Sequence, residues 1–340
     1  MVTEFRMVRG FEDVWRPPNG PSKTWPETRF RPPKDLRARL ARIVRKAPEV
    51  MVKVTGRTRD PAHLAAHLTY ITRNGELPAE GPGGVEVGDR KAVLDLARDW
   101  EFRNVADNRR RANSPFSVSL ILSMPSGTEP FKLQDAARAF ADQTFGGRFD
   151  YMFALHTDTP HPHVHVSVCA AGEEGARLNP KKADLEAWRQ LFARELRARG
   201  IEAEATPRRA RGVTRKAERT SLRKLRERAE AGRGPYGRIH RAGLVDAVRS
   251  GTGARSAEPW DASMLARRLR TAALYAAQAK LMFTALEPAD RELGSRLIRW
   301  LDRMPSAESL RAMRLRELAT GVRRHPREVG EAREKDREPR

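Results

Sequence analysis

Residues 156–169 read HTDTPHPHVHVSVC and hold four of the chain's eight histidines, His156, His161, His163 and His165. Val164, Val166 and Val168 alternate with His163, His165 and Ser167, the two-residue period of a strand with one buried face. Upstream, FDYMFALH at 149–156 alternates in the same way. Phe149, Tyr151, Phe153 and Leu155 share one face, and Asp150, Met152, Ala154 and His156 the other. Between the two runs, TDTPHP forms a turn in which Pro160 and Pro162 stop the first strand. A hairpin then brings His156 across from His163 and His165, on the face opposite the valines. Three neutral imidazoles converging from adjacent strands suit a divalent metal, and three protein ligands leave positions open for a substrate.

Working outward, the charge is the next constraint. The chain has 340 residues and a formal net charge of +22, from 66 Lys plus Arg against 44 Asp plus Glu. Such an excess attracts a polyanion, most simply nucleic acid. The single cysteine, Cys169, excludes an intramolecular disulfide framework. On strand parity it lies on the face of His163 and His165, as a neighbouring wall residue. No apolar run approaches eighteen residues and no hydrophobic leader opens the chain, so the expectation is a cytoplasmic protein with no stable membrane insertion.

The composition divides the chain. Residues 1–49 form a basic, proline-rich arm, with Pro17, Pro18, Pro21, Pro26, Pro32 and Pro33 and a short helix near 34–47. Residues 50–205 are the compact domain. Val50, Val52 and Val54 begin it as a strand. Asp60 caps a following helix that has Pro61 in its first turn. Leu64, Leu68 and Ile71 form the apolar stripe of that helix, while His63, His67, Tyr70 and Asn74 lie along another side. Helices are predicted near 89–100, 131–145 and 183–199, and FSVSLILSM at 116–124 is the clearest internal strand. Every strand has one apolar and one more polar face. The expected fold is therefore α+β, an antiparallel sheet with helices on one face and an open, histidine-bearing working face. Residues 206–258 are a basic extension, with eleven Lys or Arg between 207 and 233. Residues 259–320 are helical, and 321–340 are a charged, disordered tail.

Four tyrosines are present. Tyr151 is out of phase with His156 and points into the predicted core. Tyr275 falls in an apolar helix, and Tyr236 in a distant Gly/Pro turn. Tyr70, on a polar helical side beside the first strand, is the best candidate for a nucleophile. A phenol has a reference pKa of about 10 and needs a metal, a cation or a base nearby to be activated.

The pattern HTDTPHPHVHVSV resembles the third motif of conjugative relaxases, the MobA/VirD2-like mobilisation nucleases of the HUH endonuclease superfamily. HLTYITRNG, residues 67–75, is similar to their nucleophile motif. The resemblance covers roughly residues 50–205. It implies that Tyr70 is the catalytic tyrosine and that His156, His163 and His165 are the metal ligands, with His161 a poorer candidate. It sets Asp158 at the acidic position, either orienting a ligand histidine or lowering the tyrosine's proton affinity. The implied cofactor is one divalent ion, Mg or Mn first, Zn or another transition metal second. The implied activity is nicking and rejoining of single-stranded DNA at an origin of transfer through a 5′-phosphotyrosyl link. Adjacent duplex or hairpin DNA, relaxosome accessory proteins and a type IV secretion coupling protein are the implied partners. The implied setting is a bacterial cytoplasm, from which the protein travels with its bound DNA. With one candidate tyrosine and no helicase motifs, the pattern departs from the two-tyrosine, helicase-linked type. A rolling-circle replication initiator, an HUH transposase and a catalytically weak DNA-binding relaxosome protein are the competing readings.

Overall fold

The computed structural model describes residues 5–17, 20, 22–25, 27, 35–213, 218, 220–251, 259–305 and 309–324. Six strands form one sheet in the order β1-β4-β6-β5-β2-β3, and every neighbouring pair is antiparallel. They are β1 (Met51–Thr58), β2 (Ala79–Glu80), β3 (Glu86–Val87), β4 (Ser117–Ser123), β5 (Phe149–His156) and β6 (His163–Gly172). The two-residue strands β2 and β3 flank Gly81, Gly83 and Gly84.

The β5–β6 hairpin has the register that parity demands: His156 stands opposite His163, and Ala154 opposite His165. β4 then continues the pattern, with Ser123 opposite His163 and Ile121 opposite His165. On the other face, Val118, Leu120 and Leu122 join Tyr151, Phe153, Val164, Val166 and Val168 in the main core. Helices α4 (Pro130–Phe145) and α5 (Lys182–Ala198) cover it, through Phe140, Phe145, Trp188 and Phe192. Glu129 caps α4, accepting from the backbone N–H groups of Phe131 and Lys132.

The histidine-bearing face is not bare along its whole length. Helices α2 (Pro61–Ile71) and α3 (Arg90–Ala106) pack over part of it. Leu64, Leu68 and Ile71 of α2 meet Val93, Ala97 and Trp100 of α3 in a second core with Met152, Ala154 and Cys169. The Trp100 indole donates to Asp150 Oδ2 at 2.7 Å, which ties α3 to β5. Asp60 and Asp89 start these helices by accepting from the N–H groups of His63 and Ala92, each at 2.7 Å. At the hairpin's turn end, His163, His165 and the flanking Met51 and Lys53 remain partly or fully exposed. The open surface is thus a patch of the sheet bordered by α2.

The N-terminal segment packs more than its composition suggests. Phe11, Trp15 and Trp25 are buried. Trp25 stacks on Phe149 at 5.7 Å and meets Trp188 edge-on at 5.1 Å. Asp184 on α5 accepts from the backbone N–H of Ser22. Helix α1 (Leu36–Val44) presents Arg39 and Arg42 to the buried Glu204.

The chain separates into two compact units, Met1–Pro207 with Leu286–Leu293, and Arg208–Ala285 with Gly294–Arg340. The described helices beyond residue 207 are α6 (Thr220–Glu230), α7 (Arg238–Gly251), α8 (Pro259–Phe283), α9 (Pro288–Asp302) and α10 (Leu310–Arg324). In the second unit Arg311 donates to Asp246 at 2.7 Å, linking α10 to α7, and Tyr275 packs against Trp300. The expected tail lies outside the described residues from 325 onward, as do Arg215 and Lys216 of the basic extension. Among the described residues no helix is long and apolar enough to cross a membrane.

Candidate metal centre and nucleophile

Strand pairing alone assembles the histidine cluster. Directly opposed and diagonal positions on one sheet face are near enough for imidazoles to touch. The ring centroids of His156, His163 and His165 lie 4.6 to 5.3 Å apart. One nitrogen from each falls within 4.8 Å of the others.

Hydrogen bonding assigns the nitrogens. His156 Nε2 lies 2.7 Å from the carbonyl oxygen of Ile71. A carbonyl only accepts, so Nε2 carries the proton and Nδ1 keeps its lone pair. His163 Nδ1 lies 3.0 Å from the carbonyl of His161, which leaves His163 Nε2 with the lone pair. His165 Nδ1 is buried and, among the described residues, has no hydrogen-bond partner. Burial, helped by the neighbouring His156 and His163, pushes the His165 imidazole down to about 3. Burial also lowers His156, against an opposing hydrogen bond to Ile71. These shifts favour the neutral ring, the form in which imidazole binds metal. Three clustered imidazole nitrogens, the neutral form favoured at His156 and His165, and an orphaned buried nitrogen fit a divalent ion.

Tyr70, near the end of α2, is 72% exposed. Its neighbour Ile71 supplies the carbonyl that holds His156, so the main chain couples the tyrosine's helix to the cluster. Arg73 lies just beyond the helix and pairs with Asp158, Nη2 to Oδ2 at 2.9 Å. Asp158 Oδ1 stands 3.9 Å from His156 Nδ1, beyond hydrogen-bonding distance. The acidic residue therefore sits beside the cluster while its carboxylate is engaged by Arg73. His161 is exposed and stays out of the three-histidine group, to which it contributes only its carbonyl.

The other tyrosines lie where parity and composition suggest. Tyr151 is buried, and burial raises its phenol to about 12. Tyr275 is buried, and Tyr236 stacks on His240. One residue gained a place that the sequence did not reveal. His67 Nε2 lies 2.7 Å from Ser119 Oγ, and the His67 ring is close enough to His165 to depress it. Its helical spacing with Tyr70 was the available signal. The link to β4 depends on how α2 docks.

The turn after Tyr70 explains the end of the YITRNG motif. Arg73, Asn74 and Gly75 all have positive φ, of 50°, 61° and 86°. A Cβ on Gly75 would stand 2.2 Å from the backbone nitrogen of Arg90. Only glycine lets the chain reverse here while the start of α3 lies against it.

Residues 85–201 match the family model described as "Relaxase: MobA/VirD2-like, nuclease domain". The matched span takes in the histidine hairpin and begins after Tyr70. Among curated proteins, the chain is similar to the T-DNA border endonuclease VirD2 of Rhizobium radiobacter, 25% identical over 186 residues, 48% of this chain and 43% of that protein. It is also similar to VirD2 of Agrobacterium fabrum, 26% identical over 49% of this chain and 41% of that protein. The chain thus spans less than half the length of these relatives. Among solved structures, the MobM relaxase domain bound to plasmid oriT DNA with manganese aligns with a TM-score of 0.37 and 13% identity, over 53% of this chain and 98% of that one.

Proposed function

We propose that this chain is a relaxase of the MobA/VirD2-like kind, and that it nicks and rejoins single-stranded DNA by tyrosine transesterification during plasmid mobilisation. The observation that carries the reading is the three-imidazole cluster, tied through His156 and the Ile71 carbonyl to the helix that bears Tyr70. The substrate is a single strand at an origin of transfer, and the basic chain holds its backbone.

His156 Nδ1, His163 Nε2 and one nitrogen of His165 would hold a divalent ion. When bound, such an ion draws charge from a non-bridging phosphate oxygen and makes phosphorus more open to attack. Tyr70 Oη attacks the scissile phosphorus. A new P–O(Tyr) bond forms as the P–O3′ bond breaks. Asp158, beside Arg73 and His156, accepts the phenol proton, and the departing O3′ takes up a proton from water. The strand to the 3′ side stays on Tyr70 through its 5′-phosphate. Phosphoester replaces phosphoester, so no ATP is consumed and a later 3′-hydroxyl can reverse the step.

The test is a labelled single strand carrying the chain's own transfer origin, offered with Mg, Mn or Zn. The wild type acquires a covalent label, and Tyr70→Phe does not. A full label on Tyr70→Phe would overturn the nucleophile assignment.

A further inference from the structure

A groove of about 590 Å³ lies beside Tyr70, bounded by residues of α2, the turn after it and α3. Ala65 and Leu94 give it apolar surface, and Thr69 and Asn74 give it hydrogen-bonding groups. Two guanidiniums, Arg73 and Arg90, also line it, and Tyr70 itself is part of its wall. This volume is in the range of small-ligand sites, and the mixture of apolar surface, amide and hydroxyl groups and two cations suits a nucleobase with its phosphate. Arg73 links the groove to the histidine cluster, because it also pairs with Asp158 beside His156.

We propose that this groove seats the first nucleotide on the 3′ side of the scissile phosphate. The inference rests on Tyr70 being the nucleophile, and adds which end of the cut strand the groove holds. Phosphoryl transfer keeps the attacking and leaving oxygens roughly in line. The O3′ that leaves, with the nucleoside that carries it, therefore points away from Tyr70. The nucleotide on the O5′ side is not on that axis, and remains bonded to the tyrosine after the cut. A groove that shares the tyrosine's wall is placed for that retained nucleotide. Its base lies against Ala65 and Leu94, Thr69 and Asn74 meet the base edge, and Arg90 with Arg73 meets the next phosphate. Gly75 keeps the two sides of the groove at this spacing by letting the start of α3 abut the turn.

The experiment follows covalent labelling by three strands that span the mapped nick: intact, abasic at the first position 3′ of it, and abasic at the first position 5′ of it. For the wild type, the 3′ abasic strand should react about tenfold more slowly than the intact one, and the 5′ abasic strand should be less affected. Leu94→Trp, which fills the groove, should slow reaction with the intact strand and remove its advantage over the 3′ abasic strand. Arg90→Ala provides a surface change that spares the core. A methylphosphonate at the phosphate after the first 3′ nucleotide should slow the wild type and leave Arg90→Ala unchanged. Equal wild-type rates on intact and 3′ abasic strands, or a larger effect of the 5′ abasic site, would overturn the groove assignment and leave Tyr70 in place. No covalent label on any strand would overturn the tyrosine reading, and the groove with it.

Discussion

His156 Nε2 lies 2.7 Å from the main-chain oxygen of Ile71, so the first residue of the histidine cluster is fastened to the helix that carries Tyr70. The bond fixes the imidazole's tautomer and its rotation together, as an outer hydrogen bond does for a metal-ligating histidine. The histidine cluster and the helix of Tyr70 are thereby parts of one arrangement, although they are far apart in sequence.

Manganese binding should separate the histidines. His163→Ala and His165→Ala each remove a convergent ligand and should weaken binding at least about tenfold by isothermal titration. His161→Ala, whose side chain lies outside the cluster, should stay within about twofold of wild type. A His161→Ala protein that lost the metal would refute the ligand set.

Asp158→Asn isolates the acidic residue. Arg73 and Asp158 are each nearly half exposed, and such pairs contribute only about 0–1 kcal/mol to stability. The melting temperature should therefore shift by less than about 3 °C. If the carboxylate accepts the phenol proton, the rate of covalent labelling should drop by about a hundredfold. An unchanged rate would remove Asp158 from the chemistry.

Trp25→Ala tests the packed arm. The indole is buried among Phe145, Phe149 and Trp188, and its Nε1 donates to the Thr144 carbonyl at 3.3 Å. Truncation should cost about 3–5 kcal/mol in urea unfolding. A loss below about 1 kcal/mol would mean that the arm merely rests on the domain.

Cys169 should resist alkylation. Burial raises its thiol to about 11, and the thiolate is the reactive form. The unfolded thiol ionises near ~8.5, so this group's contribution to stability is complete below that pH and is lost as pH rises toward about 11. Iodoacetamide at pH 8 should label unfolded protein and spare the native form. Rapid native labelling would show that the second core opens readily.

The hairpin was legible because parity is local: a two-residue period assigns each side chain to a face before any tertiary contact is known. The cap at Asp60 was legible because capping, too, is a local matter of residue type at a helix start. What remained hidden depends on docking. The cover of α2 and α3 over Met152, Ala154 and Cys169 is read only once both helices are placed. The His67–Ser119 and Arg73–Asp158 contacts join distant segments that no periodicity relates. Strands β2 and β3 are two residues each, too short to express a period. Trp25 sits in proline-rich sequence, whose composition suggests solvent while a single large ring decides otherwise.

The direct pairing of His156 with His163 also sets where this domain tolerates insertions and deletions. An added residue at Thr159 or Pro160 lengthens an exposed turn and leaves both arms in step. The same addition at Ala154 or Val164 turns part of an arm over, sending an imidazole toward the core and an apolar side chain toward the open face. Length variation should therefore be confined to the tip of the hairpin, while its arms accept substitution only.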